Sequence, residues 1–235
     1  MATSIFEAKL QDSLSDIRER IARAAEKSGR DPNDITLVGV TKSYSLDVVY
    51  AALANGIFDL GENRVEELIK KSDTVSHKCV RWHMIGHVQG RKSSNLIGVA
   101  GLVHSVDSIR LAQRLSKAAE KADIKQPVLI QVNTSGEGTK GGFQGDEIEK
   151  DLKIILGLQG LEVRGLMTMA PFTDDEIILR KTFRGAREIH NKLQHLEEYF
   201  GEDLSMGMTN DFEIAIEEGS TMIRLGTALF GKRKV

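Results

Sequence analysis

Lys42 stands just past an apolar run, Ile35-Thr-Leu-Val-Gly-Val40, in the segment Thr41-Lys42-Ser43-Tyr44. A lysine delivered by the end of a buried strand is partly desolvated. Burial disfavours its ammonium form, lowers its pKa and leaves an amine able to form an imine with a carbonyl compound. The same position also suits a lysine that snorkels out at a barrel rim.

A second group of residues lies near the other end of the chain. Leu204-Ser-Met-Gly-Met-Thr209 is followed by Met222-Ile-Arg-Leu-Gly-Thr-Ala228. Ser205 and Gly207 are small, the loop at Thr209-Asn210 leads into a helical stretch, and Gly226-Thr227 offers close backbone approach and a hydroxyl. Helix N-termini present free N–H groups to anions, so these two elements together read as a phosphate cup. Tight packing of strand against helix would ask for the same small residues. Arg224 shares a strand face with Gly226 by the period of two. An inward arginine in an apolar strand needs a partner, and both the ring nitrogen of a bound aromatic cofactor and a carboxylate such as Glu62 would serve. An amine at one strand end and a phosphate site at two others suggest a Schiff-base cofactor in a (β/α)8 barrel.

Other motifs carry less. His83 and His87 have the i, i+4 spacing of a metal pair, but Gly86 and the strand-like flank spoil the helix such a pair uses. The run from Gly136 to Gly142 fails the phosphate-loop pattern, because Gly142 stands where lysine is required, and reads as a flexible rim loop. Met167, Met169, Met206, Met208 and Met222 read as core filling. Arg91-Lys92 and Lys232-Arg233-Lys234 read as solvated charge. Cys79 has no partner motif for a nucleophile.

These residues need a scaffold, and the patterning supplies one. Apolar residues at Leu10, Leu14, Ile17, Ile21 and Ala25, with Ile5 before them, predict a helix over about 4–28, stopped by Gly29 and Pro32. Eight short strand-like runs follow, at 35–40, 56–61, 80–86, 101–107, 127–134, 161–170, 203–209 and 221–230. Amphipathic stretches lie between them at 46–54, 64–71, 89–97, 109–122, 146–158, 174–199 and 211–218. Alternation of this kind predicts a parallel sheet, and eight units predict closure. Ser45, Ser108 and Asn210 are expected N-caps, and Gly29, Gly56 and Gly219 expected C-terminal stops. In such barrels the site lies at the C-terminal strand ends, which adds Asn63, His87, Asp107, Asn133 and Met169 to the residues above.

The bulk properties agree. The 235 residues suit one domain over 1–235, are 40% hydrophobic and carry a net charge of −2. No field favours nucleic acid, and no apolar run approaches the roughly 20 residues of a membrane span. The N-terminus lacks a signal-like pattern, and one cysteine is neutral to a reducing cytosol. A cytoplasmic location is expected.

Taken together, several motifs resemble the pyridoxal phosphate homeostasis proteins, relatives of the alanine racemase N-terminal barrel. They are Val38-Gly-Val-Thr-Lys42, Gly61-Glu-Asn-Arg64, Trp82-His-Met-Ile-Gly-His87 with Gln89, Val132-Asn133 with Glu137 and Lys140, Gly165-Leu-Met-Thr-Met169, Leu204-Ser-Met-Gly-Met208, and Glu218 through Gly231. The resemblance covers nearly the whole chain. It implies a single TIM barrel with an extra N-terminal helix and no C-terminal β-domain. It implies pyridoxal 5′-phosphate held as an aldimine on Lys42, with Arg224 facing the pyridine nitrogen, Ser205, Gly226 and Thr227 at the phosphate, and Asn63 beside the cofactor. The expected role is carrier and regulator, affecting amino- and keto-acid balance, with transient delivery to enzymes that use the cofactor.

Gly90-Arg91 and Thr209-Asn210 depart from the family's commonest residues, so those loop contacts are open. Relative to the racemases, Leu46 replaces a tyrosine and the dimerising β-domain is missing, which leads to the expectation of a monomer. The alternative is an amino-acid racemase of weak activity. Racemisation needs two bases, and Lys42 is the one in evidence. An arginine at the ring nitrogen also weakens the ring as an electron sink. A lysine-dependent aldolase without cofactor is a third class, in which the cup would hold a sugar phosphate.

Overall fold

The computed structural model describes residues 2–137, 141–145 and 148–232, with side chains of 2–6 and 8 outside that set. Lys140, Asp146 and the terminal run 233–235, named above, lie outside the described residues. Among the described residues nine strands form one sheet: β1 (Thr36–Val40), β2 (Asp59–Glu62), β3 (Arg81–Met84), β4 (Leu102–Val106), β5 (Gln126–Asn133), β6 (Phe143–Gln144), β7 (Leu161–Met167), β8 (Asp203–Ser205) and β9 (Met222–Leu225). All pairings are parallel. The order β4-β3-β2-β1-β9-β8-β7-β5, with β4 also paired to β5, closes eight strands into a barrel. The two-residue β6 adds to β5 outside that ring through Val132 opposite Phe143.

The outer layer is α1 (Ala2–Lys27), α2 (Leu46–Ala54), α3 (Val65–Thr74), α4 (Ile109–Lys121), α5 (Ile148–Leu156), α6 (Glu176–Leu193), α7 (Phe212–Glu217) and α8 (Thr227–Phe230). Two places differ from the sequence expectation. The stretch at 89–97 is a 3-10 turn, Gly90–Leu96, because its apolar residues are too sparse to hold an α-helix against the barrel. The last run, expected as strand through 230, breaks at Gly226, and Thr227 to Phe230 form α8. α8 is short, and α1 packs beside it, against α7, α8 and α2, burying Leu10, Leu14, Ile17, Ile21 and Ala25. The extra helix thus completes the ring where the eighth helix is stunted.

Local signals hold at most ends. Gly29, Gly56 and Gly219 take positive φ, the left-handed conformation that ends helices without strain only in glycine. Ser108 accepts from the Leu111 N–H at the start of α4. Ser45 sits at the N-cap of α2 without a capping bond, its hydroxyl donating instead to Asp47 Oδ2 at 3.4 Å. The N-cap of α7 is Asp211 rather than Asn210, and its carboxylate accepts from the Met208 N–H at 2.5 Å. The barrel lumen holds a small apolar plug of Val38, Leu102, Leu129, Met167 and Met222. Around that plug the lumen is polar, and the larger apolar core lies between sheet and helices.

Candidate functional site

At the C-terminal mouth of the barrel lies a cavity of about 410 Å³. That is within the roughly 300–1,000 Å³ typical of small-molecule sites. Lys42, Asn63, Arg224, Gly226 and Thr227 all line it, with Tyr44, Met169, Met208 and Thr209. The structure therefore brings five of the six expected site residues onto one surface. They come from three neighbouring strands, since β1 pairs with β2 on one side and β9 on the other, with Val38 opposite Arg224.

Lys42 is held from behind. Thr41, preceding it, is fully buried on the outer face of β1. Its hydroxyl donates to Glu62 Oε1 at 2.5 Å, and its carbonyl accepts from Lys71 Nζ at 2.7 Å. Ser43, following it, adopts φ +63°, which is strained for a residue other than glycine. Its N–H donates to Glu67 Oε1 at 2.6 Å. Lys71 Nζ also reaches Glu62 Oε1 at 2.8 Å and Glu67 Oε1 at 2.9 Å. Burial pushes the Glu62 carboxyl above the usual range, against the hydrogen bonds from Lys71 and Thr41. Glu62 Oε2 is the one buried side-chain oxygen or nitrogen without a hydrogen-bond partner among the described residues. Asn63 is seated by Gly86, where a side chain would come within 2.3 Å of the Asn63 carbonyl oxygen.

Arg224 lies in the cavity floor and is 5% exposed. Nη2 donates to the Thr168 carbonyl at 3.0 Å and Nη1 to Ser205 Oγ at 2.6 Å. Burial pulls its guanidinium down to about 10, with Asp211 opposing, so it stays cationic at neutral pH. The alternative partner raised from the sequence, Glu62, is excluded. That carboxylate faces out of the barrel and is taken by Lys71.

Ser205, expected at the phosphate, lies under Arg224 instead. It is fully buried, its hydroxyl bridges Arg224 and His104, and it does not line the cavity. The period of two turns its side chain into the lumen, one layer below the strand ends. The cup is made by the loops above it. Thr209 Oγ1 accepts from the Ala228 N–H at 3.4 Å, tying the loop after β8 to the start of α8. Gly207, at φ +99°, lets the first loop pass α7, where a Cβ would meet Ala215 at 2.7 Å.

His83 and His87 do not converge. His83 is buried in the lumen against His104 and Asp59, while His87 is exposed and bonded to Asp107 at 2.9 Å. Among the described residues no group of three or more His, Cys, Asp or Glu is placed to hold a metal ion. None of their helices is long and apolar enough to cross a membrane. His104, Lys71 and Glu67, which position site residues, were not singled out by sequence reasoning. For His104 a signal exists: it shares the inward strand face of Leu102, where a polar group needs a partner.

The donor set fits an anionic, aldehyde-bearing aromatic ligand: an amine at one wall, a buried cation in the floor, hydroxyls and glycine backbone at the far side. Comparison with known proteins agrees. The model of the alanine racemase N-terminal domain matches residues 13–234. The pyridoxal phosphate homeostasis protein of Aquifex aeolicus is 40% identical over 95% of this chain and 98% of its own length. The structure of PipY from Synechococcus elongatus with PLP bound superposes with a TM-score of 0.81 at 31% identity, covering 92% of this chain and all of that one. An alanine racemase of Clostridium difficile shares the fold at a TM-score of 0.77 and 18% identity, with 94% of this chain covering 56% of that one. The chain belongs to the alanine racemase N-terminal domain family, among the pyridoxal phosphate homeostasis proteins.

Proposed function

We propose that this protein binds pyridoxal 5′-phosphate and takes part in its homeostasis, as a carrier and regulator rather than a fast catalyst. The observation that carries this reading is the convergence of Lys42, Arg224 and the Thr209–Gly226–Thr227 cup on one cavity. When bound, the cofactor supplies an aldehyde electrophile and a pyridine ring that can accept electron density. Lys42 provides the amine that anchors the aldehyde carbon. Arg224 would hold the ring nitrogen, Asn63 would lie beside the ring, and Thr209, Gly226 and Thr227 would receive the phosphate. Ser205 acts on the ring end through Arg224.

Two observations favour holding over turnover. The other ionisable side chains of the lining are engaged in structural bonds, Tyr44 to the Gly231 carbonyl and Asp211 to the Met208 N–H. A permanent cation at the ring nitrogen also disfavours its protonation. The cavity lies at the C-terminal mouth of the barrel, the side from which amino acids would reach Lys42 and cofactor would leave for recipient enzymes. A monomer and a cytoplasmic location complete this reading, and the exposed thiol of Cys79 is compatible with a reducing compartment.

Borohydride reduction followed by peptide mapping should leave a pyridoxyl group on Lys42 and none in Lys42→Ala. A label on a different lysine would sink the assignment. Exchange of the α-proton of L- and D-alanine in deuterated water, followed by NMR, separates carrier from racemase. Lys42-dependent exchange on the order of 10 per second, the median for enzymes, would favour the racemase. Light scattering at micromolar concentration tests the monomer.

A further inference from the structure

A line of hydrogen bonds crosses the barrel lumen from the cavity floor toward the opposite end. Arg224 Nη1 meets Ser205 Oγ at 2.6 Å, and Ser205 Oγ meets His104 Nδ1 at 2.9 Å. His104 Nε2 meets His83 Nδ1 at 2.8 Å, and His83 Nε2 meets Asp59 Oδ1 at 2.8 Å. Asp59 is also held by Arg81 at 2.6 Å, on the exposed N-terminal side of the sheet. Ser205, His104 and His83 are completely or almost completely buried.

The direction of this line is set by its ends. Arg224 can only donate, and an ionised Asp59 can only accept. His83 must then carry its proton on Nε2 and accept at Nδ1. His104 must carry its proton on Nε2 and accept at Nδ1, so the Ser205 hydroxyl donates to it and accepts from Arg224. Every member is satisfied, and every hydrogen bond points the same way, which lets neighbouring bonds polarise one another.

We propose that Asp59, His83, His104 and Ser205 form a one-way positioning relay that fixes the Arg224 guanidinium against the ring nitrogen of the cofactor. This rests on the cofactor reading given above. The relay ties the cofactor's ring end to a carboxylate at the far end of the barrel, though none of Asp59, His83 or His104 touches the cavity. Electrostatics agree with the assigned protons. Burial lowers the pKa of both histidines, with Asp59 opposing at His83 and with His83 and Arg224 reinforcing at His104. Burial alone would raise the Asp59 carboxyl, but hydrogen bonds from His83 and Arg81 hold it below the usual range.

The substitution that separates relay from packing is at His104. Leucine fills the space but ends the line. Glutamine keeps one donor and one acceptor and can continue it. With both variants folded, His104→Leu should bind pyridoxal 5′-phosphate about tenfold more weakly, while His104→Gln stays within about threefold of wild type. Bound-cofactor absorbance should shift in the leucine variant, with Lys42 still labelled on reduction. If His104→Leu does not fold, Ser205→Ala cuts the same line next to Arg224, with Ser205→Thr as its rescue.

Nitrogen-15 NMR of histidine-labelled, cofactor-free protein at neutral pH should show His83 and His104 as neutral Nε2–H tautomers. An imidazolium or an Nδ1–H tautomer at either position would overturn the relay. So would leucine binding as tightly as glutamine with an unchanged spectrum. Failure of the wild type to label at Lys42 would overturn the cofactor reading, and with it the cofactor half of this proposal. The tautomers would still decide the direction of the line.

Discussion

Two buried polar clusters flank the cavity, and they do similar work with opposite chemistry. Outside the sheet, under α3, Lys71 and the carboxylates Glu62 and Glu67 grip the backbone on both sides of Lys42. Inside the lumen, a line of neutral imidazoles and a hydroxyl grips a side chain, Arg224. The first cluster is ionic, many-to-one, and leaves Glu62 Oε2 unpartnered. The second is a single file with matched donors and acceptors. Charges hold tightly but suffer when a partner is lost. A neutral file is less sensitive in stability, yet more specific about direction.

The largest expected effect comes from breaking the ionic cluster. Lys71→Met strands Glu62 in an apolar space and should lower unfolding free energy by about 3–5 kcal/mol, measured by denaturant titration. Loading of Lys42 should fall with it, because Thr41 loses its clamp and Glu67, which holds Ser43, loses its ion pair. The double variant Glu62→Leu/Lys71→Met should recover most of the stability but not the loading. A single-variant loss below about 1 kcal/mol would mean that the cluster is no tighter than a surface pair, and the contrast would collapse.

The neutral file predicts a pH dependence. His83 and His104 in the file, and His190 outside it on α6, all have pKa values lowered by burial from 6.5. Unfolded histidines bind protons as pH falls through about 6.5 while the folded ones do not, so the unfolded state gains. Stability should be full above that pH and decline below it, by up to about 1.4 kcal/mol per pH unit for each histidine. The charged groups facing the pair are Asp59, Arg81 and Asp203 at His83, and Arg224 at His104. Glu62 and Asp203, raised by burial, act in the opposite sense from their ordinary acidic values upward. The difference between wild type and His104→Gln isolates one histidine. Parallel stability curves for the two would remove His104 from the titration.

The smallest effect should come from outside both clusters. Arg180 bridges Glu176, Glu217 and Glu218 between α6 and α7, about one third exposed. Arg180→Ala should cost no more than about 1 kcal/mol, and less in high salt. A larger, salt-independent loss would place this surface network on the same footing as the cluster at Lys71.

The scaffold was legible in the residues because alternation and spacing are local signals. Each of the eight apolar runs became a barrel strand, and the glycine stops at Gly29, Gly56 and Gly219 took the backbone that only local geometry demands. Lys42, Arg224, Gly226 and Thr227 were legible because strand ends and the period of two assign their positions. What escaped was pairing across the lumen. Which inward polar residue meets which depends on barrel stagger, so Arg224 could not be assigned to Ser205 and Thr168, and the pairing of Glu62 with Lys71 outside the sheet depends on how α3 docks. Ser205 was placed one layer too high for the same reason. The 3-10 turn at Gly90–Leu96 and the break at Gly226 are decided by packing, which overrides a weak local preference.

The pairing of β1 with β9 has a consequence for how the protein comes into being. Lys42 leaves the first strand and Arg224 sits on the last, so the two halves of the cavity meet only at the ring's final closure. A chain still being made, or one whose last strand has peeled away, has an amine and no cup. The empty barrel therefore risks opening along this junction, and a ligand that touches both strands binds the closed ring alone. Such a ligand works as a latch: it raises stability by RT ln(1 + [L]/Kd) and slows departure of the last strand. Protease resistance near β9 would then report how much cofactor the cell has to spare.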